Sequence, residues 1–473
     1  MKNKYNIVRH TIIMTAVNLI MRSVSVSFNA YLTNKIGSDG IGLFQLVMSV
    51  YSLAITFSSA GIRLATTRLT VEINTNNKYD INKSLGLCLS YAAFTGSLTG
   101  LILLIFSDYI SISWIGNSKT SIPLKILSFS LPFVSMSSAF GGYFTAIEKI
   151  PQFSFIQMLE QVFKILLTVF LLNKTANSSP AYSAAAIVSG MTVAEIFSFS
   201  LSRILKIFSA ETKTNKDTVP LSNFLRISLP DAAGACARNI LLTAEHLMIP
   251  KGFEKSGTDS KSALSAYGNI HAMAMPLLLY PSAVISSFST LLIPETAKRK
   301  ELGDTQGISL SASRTIKRTF IFSLVSSMFC FIFAPFLSYA IYKTNEAVKY
   351  IRILSPLVPV MYLDTVTDGL LKGLDQQVYS MRYNIIDSLL CVIMVYYLLP
   401  KYSVKGYIFI LYASEIINFF LSFNRLISVC DIRVFQALSK DNSMFSGLKK
   451  YSAFRREYEY RKYQDRKKRS QAL

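Results

Sequence analysis

The chain has 473 residues, of which 51% are hydrophobic and 16% charged, with a formal net charge of +22. Soluble domains carry roughly 25% charged residues. The long apolar blocks and short polar runs seen here therefore exclude an ordinary soluble multidomain chain and indicate a polytopic membrane protein, since about 20 predominantly apolar residues cross the hydrocarbon.

Taken in order, the apolar blocks predict an all-α protein with twelve spans, at about 10–33, 41–66, 84–107, 121–147, 153–172, 181–203, 222–249, 263–295, 316–342, 347–372, 378–399 and 404–427. The basic start "MKNKYNIVRH" leads straight into the first span, and no small-residue cleavage site of a signal peptide is evident. In that span Asn18, Arg22, Ser25 and Asn29 recur at spacings of three and four, one face of a helix. A polar stripe with a central arginine must face a partner helix or water, because a charge at the bilayer centre costs at least ~2.5 kcal/mol. Arg63 falls nearer the inner end of the second span, where its side chain can snorkel to the interface. Glu160 and Lys164 are four apart in the fifth and can pair locally.

The seventh span carries Asp231, Arg238 and Glu245 at intervals of seven, again on one face. Arg22 and Lys35 recur as Arg238 and Lys251 at the same offset, which suggests two parallel repeats of six spans. The expected organisation is an N-terminal bundle at 1–203, a linker at 204–221, a C-terminal bundle at 222–430 and a basic tail at 431–473. Span eight, "PLLLYPSAVISSFSTLLIPE", keeps Pro276, Pro281 and Pro294. Proline removes a donor and clashes with the preceding turn. Bent helices are tolerated in membranes where freed carbonyls meet protein or a water-filled cavity. Pro276 and Pro281 accordingly mark a cavity wall or gate. Asp364, Asp368 and Lys372 form a further polar row in the tenth span.

Most Lys and Arg fall in loops on the side of the N-terminus, which puts both termini in the cytoplasm of a multi-pass cell-membrane protein. The tail, with tyrosines between its basic residues, suits an anionic lipid surface and gives no reason to expect nucleic-acid binding. The five cysteines and three histidines lack metal-ligand spacing, and no P-loop or GxGxxG is present. No metal, cofactor or enzymatic chemistry is expected, which leaves a secondary transporter or flippase. In that reading Arg22 and Arg238, with Arg63, Asn18 and Asn29, bind substrate; arginine suits bidentate capture of phosphate oxygens. Asp231, Glu245, Asp364 and Asp368 orient the arginines or couple to ions.

The segments "GSDGIGLFQLVMSVYSLAITFSSAGIRLATTRLTVE", "GGYFTAIEKIPQFSFIQMLEQVFKI", "LRISLPDAAGACARNILLTAEHLMIPKGFEKSG" and "YGNIHAMAMPLLLYPSAVISSFSTLLIPETA" resemble the stage V sporulation protein B family. That family belongs to the polysaccharide-export branch of the superfamily that includes lipid II flippases and multidrug and toxin extruders. The resemblance implies two six-helix bundles around a central cavity and alternating access. It implies a lipid-linked oligosaccharide or peptidoglycan precursor as cargo, for spore cortex synthesis; cell-wall synthesis enzymes are a further expected class of partner. Arg22 stands at the place of the first-span arginine of lipid II flippases, while Phe28 stands where those proteins carry a second one. Two rival expectations are a cation-coupled multidrug antiporter and a membrane scaffold for cortex-synthesis enzymes.

Overall fold

A computed structural model describes residues 2–76, 79–174, 180–208 and 217–430. The basic tail, the middle of the predicted linker and the side chains of Asn18 and Pro294 lie outside the described residues. The first half comprises α1 (Lys2–Ser59), α2 (Ile62–Asn76), α3 (Ile81–Tyr109), α4 (Ser121–Ser128), α5 (Leu131–Ala146), α6 (Ile150–Lys174) and α7 (Pro180–Phe208). The second comprises α8 (Leu221–Lys255), α9 (Ser260–Gly268), a π-helical segment (Asn269–Ala274), α10 (Met275–Leu278), α11 (Ser282–Glu301), α12 (Thr305–Ile332), α13 (Ala334–Tyr342), α14 (Val348–Leu354), α15 (Val358–Gly373) and α16 (Gln377–Cys430).

The protein is an all-α, polytopic membrane protein. Among the described residues, six helices are long and apolar enough to cross a bilayer, or eight if two bent pairs each count as one. Two of the six are composite. A straight helix of α1's 58 residues would run about 87 Å at ~1.5 Å per residue, nearly three times the ~30 Å hydrocarbon. It breaks at Gly37 (φ 75°, ψ 172°), and α16 breaks likewise at Ser403 (φ 48°, ψ −135°). α8 falls outside the apolar set because Arg226, Asp231, Arg238, Glu245 and Lys251 are spread along it.

Each half packs mainly within itself, and the halves meet along two seams. In one, α1 runs beside α11 and the π segment before Gly37 and beside α9 just after it. In the other, α1 after Gly37, together with α2, runs beside α8. The first seam is tightest at Gly42 and Gly268, whose Cα atoms lie against the backbone of Leu264 and Ser38; a β-carbon at either position would overlap it. The end of the molecule at Gly37, opposite the chain's beginning, is further tied by Lys251 Nζ donating to the Ser113 carbonyl at 2.8 Å.

Candidate functional site

The eighth predicted span is a broken helix. Its parts, Ser260–Leu278 and Ser282–Ser289, meet at 61°. Pro276 lies in α10, which continues directly from the π-helical segment, so its missing N–H leaves a carbonyl of the preceding turn without its helical donor. Pro281 lies in the break itself. Three short bonds tighten the chain there: Tyr280 N to Leu277 O (3.2 Å), Ser282 N to Leu279 O (3.1 Å) and Ala283 N to Tyr280 O (3.2 Å).

A break in an apolar setting must satisfy its freed carbonyls. Tyr362 Oη of α15 donates to Leu278 O at 2.7 Å. Ser282 Oγ donates to Leu279 O at 2.7 Å. In the π segment just before, Asn29 Nδ2 of α1 donates to Ala272 O at 3.3 Å, and Tyr342 Oη donates to Met273 O at 3.0 Å. Side chains from α1, α13 and α15 thus hold the irregular backbone in place.

Arg22 is anchored at this break. Its Nη1 donates to Ser282 Oγ at 3.0 Å, and the next residue, Ser23, shares a 2.6 Å hydrogen bond with Tyr280 Oη. The guanidinium is half-buried, and among the described residues no carboxylate pairs with it. Among the described residues its four other N–H donors have no partner, which leaves them to meet an anion.

α8 presents Asp231 and Arg238 as exposed residues, while Glu245, two turns further on, is buried at 8% exposure. A spacing of seven residues is about 10.5 Å along a helix. No ion pair joins Arg238 to either acid, or to any other carboxylate, among the described residues. Asp364 and Asp387 lie in electrostatic range of Arg238 instead. Two exposed charges within a membrane helix must face water rather than lipid.

The second half also brings the predicted acids Asp364 and Asp368 together with two that the charge rows of the sequence did not single out, Asp387 and Glu415. Asp364 Oδ2 accepts from Asn418 Nδ2 at 3.1 Å, Asp387 Oδ1 accepts from Ser414 Oγ at 2.7 Å, and Asp368 Oδ1 accepts from Ser380 Oγ at 2.7 Å. Glu415 is a close electrostatic neighbour of Asp364. The other oxygens of Asp364 and Asn418 have no partner. Asp387 and Glu415 each interrupt an apolar run, "NIIDSLLCV" and "LYASEIINFF"; that interruption is the signal that could have found them. His246 and His271 belong to the packed interior of the second half. Their rings are 4.8 Å apart, and they bond Tyr267 Oη at 2.9 Å and Tyr407 Oη at 2.7 Å respectively.

Arg63 is exposed on α2 at its crossing with α5, where Gly142 lies against the Arg63 carbonyl and Gly141 against the Arg63 side chain. No contact joins it to Arg22 or Arg238. Glu160 and Lys164 do not form a direct ion pair; Lys164 lies in the field of both Glu160 and Glu195 of α7. The structure thus gathers Arg22, Asn29, Pro276 and Pro281 at one seam and Arg238, Asp364 and Asp387 in the second half, with Arg63 apart from both.

The family described as polysaccharide biosynthesis protein matches residues 7–299, and a second family described as MatE matches residues 256–398. Stage V sporulation protein B of Bacillus subtilis (strain 168) is 22% identical over 399 residues, covering 82% of this chain and 76% of that protein. Two solved structures share the fold. The lipid II flippase MurJ in an inward closed conformation has a TM-score of 0.69 at 14% identity, over 90% of this chain and 91% of its own. An inward-facing multidrug resistance MATE family transporter of the MOP superfamily also has a TM-score of 0.69, at 12% identity, over 88% of this chain and 98% of its own.

Proposed function

Because this chain belongs to the polysaccharide biosynthesis protein family, with the matched region covering more than half of it, we propose that it is a membrane flippase that translocates a lipid-linked cell-wall precursor by alternating access. The observation that carries the reading is Arg22: a cation at a helix break between the two halves, held by a neutral hydroxyl and, among the described residues, left without a carboxylate. Arg238, exposed on α8, supplies a second. A planar guanidinium with free donors matches the oxygens of a pyrophosphate link. The headgroup enters between the halves while its lipid tail stays in the bilayer, and α10–α11 flexes at Pro281 as the halves rock. Asn29 and Arg63 add polar groups along the substrate's route, and the sequence stripe of the first span adds Asn18 to the candidates. Asp231, Glu245, Asp364 and Asp368 couple the movement to an ion. Both termini are cytoplasmic, by the excess of basic residues on that side. The similarity to stage V sporulation protein B supports spore cortex peptidoglycan as the destination and cell-wall synthesis enzymes as partners.

The test is flipping of a labelled lipid-linked precursor by purified protein in vesicles. Replacing Arg22 and Arg238 with Ala should abolish it at unchanged protein levels; unaltered flipping rejects the reading. The acid-rich second half, with Asp364 and Asp387 near Arg238, favours one alternative, a cation-coupled drug antiporter. Drug efflux that needs Asp364 but survives loss of Arg22 would select it.

A further inference from the structure

Where α1 breaks at Gly37 and meets α9, the two halves line an open cleft of about 300 Å³ at the far end of the seam. Ser38 and Asp39 come from the first half. Lys261, Ser265, Asn269 and Tyr350 come from the second. Ser38 Oγ and Ser265 Oγ share a 2.8 Å hydrogen bond across the seam, and Lys261 Nζ stands 4.0 Å from Asp39 Oδ2. Asn269 forms the buried wall at 5% exposure. Its Nδ2 donates to Glu346 Oε2 at 3.2 Å, while its Oδ1 has no partner.

We infer that this cleft binds a single sugar ring, and that it exists only while the far end of the two halves is closed. The walls offer hydroxyls, a carboxylate, an amide and one phenol ring, which suits a hydroxyl-rich ring and gives a lipid tail little to pack on. Asp39 and Lys261 offset one another, so an anion gains less here than a neutral polyol does. The volume stands at the lower end of small-molecule sites, which run to roughly 300–1,000 Å³; one ring fills it, and the rest of a larger headgroup stays outside its open mouth. Because both halves contribute walls, separating them dismantles the site. A bound sugar must then favour the closed seam by the same factor by which closure favours the sugar. This deepens the flippase reading and rests on it. The sugar of a delivered headgroup, once on the far side, holds the seam shut and slows the next cycle.

The experiment titrates N-acetylglucosamine into the full-length protein in lipid nanodiscs by calorimetry, with inorganic phosphate and glycerol as controls. The expected result is saturable millimolar binding of the sugar alone. Asp39→Ala and Tyr350→Ala should weaken it about tenfold, the loss of one or two good contacts. Gly268→Leu, which touches Ser38 across the seam, should abolish it. Lys261→Met, on an exposed side chain outside the packed core, provides a readout if the wedge variant fails to fold and should weaken binding severalfold. No saturable binding to the unaltered protein, equal binding by a folded Gly268→Leu variant, binding indifferent to all three cleft substitutions, or displacement by phosphate overturns the inference. Binding is measured without transport. Intact flipping without sugar binding therefore sinks this inference alone, and sugar binding without flipping sinks the flippase reading alone.

Discussion

Arg22 of α1 donates its Nη1 to Ser282 Oγ, the first residue of α11, across 3.0 Å. A cation of the first half is therefore fixed to the point where a helix of the second half is broken. A charge-assisted hydrogen bond contributes about 1.5–3 kcal/mol. Arg22→Ala should lower precursor flipping in vesicles at least tenfold. Arg22→Lys keeps the charge but loses the planar fork, and should recover only part of the rate. Full activity of Arg22→Ala at normal expression contradicts the role given to this residue.

Tyr362→Phe removes the donor to Leu278 O and leaves a buried carbonyl of the break unsatisfied. Such a loss costs about 1–3 kcal/mol. Thermal unfolding of the detergent-solubilised variant should show a lowered midpoint, while Tyr412→Phe, whose hydroxyl bonds Ile353 O away from the break, should cost no more than a typical hydrogen bond, ~1 kcal/mol. Equal midpoints for Tyr362→Phe and the unaltered protein would show that the break does not depend on this donor.

Gly61 joins α1 to α2 at φ 74°, with its Cα against the Ser228 carbonyl of α8. An alanine there meets both a left-handed backbone and a collision with the other half. Strain of this kind costs about 1–3 kcal/mol before the collision is counted. Gly61→Ala should reduce membrane-inserted protein in a quantitative blot by severalfold, whereas Gly86→Ala, with open space around its Cα, should leave it unchanged.

Asn418→Leu removes the donor to Asp364 and should destabilise the second half by about 1–3 kcal/mol. Asp364→Asn keeps the shape and removes the charge. If Asp364 takes part in ion coupling, that variant should flip precursor at a rate indifferent to an imposed ion gradient; a gradient response equal to that of the unaltered protein removes it from the coupling path.

The class of fold was legible because hydrophobic blocks of bilayer length are a property of composition, and Arg22 stood out because a charge among apolar residues is visible without coordinates. The helix break was legible from Pro276 and Pro281. What filled it was not: Tyr362 and Tyr342 reach it from α15 and α13, and no local pattern in those helices points to a carbonyl about 70 to 85 residues upstream in the chain. The row Asp231–Arg238–Glu245 was legible as a spacing of seven, but spacing does not say what lies between charges two turns apart. Asp364 and Asp387 come into electrostatic range of Arg238 only through tertiary packing, which periodicity does not encode.

The bonds that α1, α13 and α15 make to the broken helix end on main-chain oxygens at Ala272, Met273 and Leu278. A peptide oxygen is present whatever residue occupies the position, so the two sides of each bond differ in their genetics. Mutational damage should concentrate on the donors Asn29, Tyr342 and Tyr362, and revertants of an Asn29 lesion should map to its own helix or to altered spacing, never to a compensating side-chain swap at residue 272.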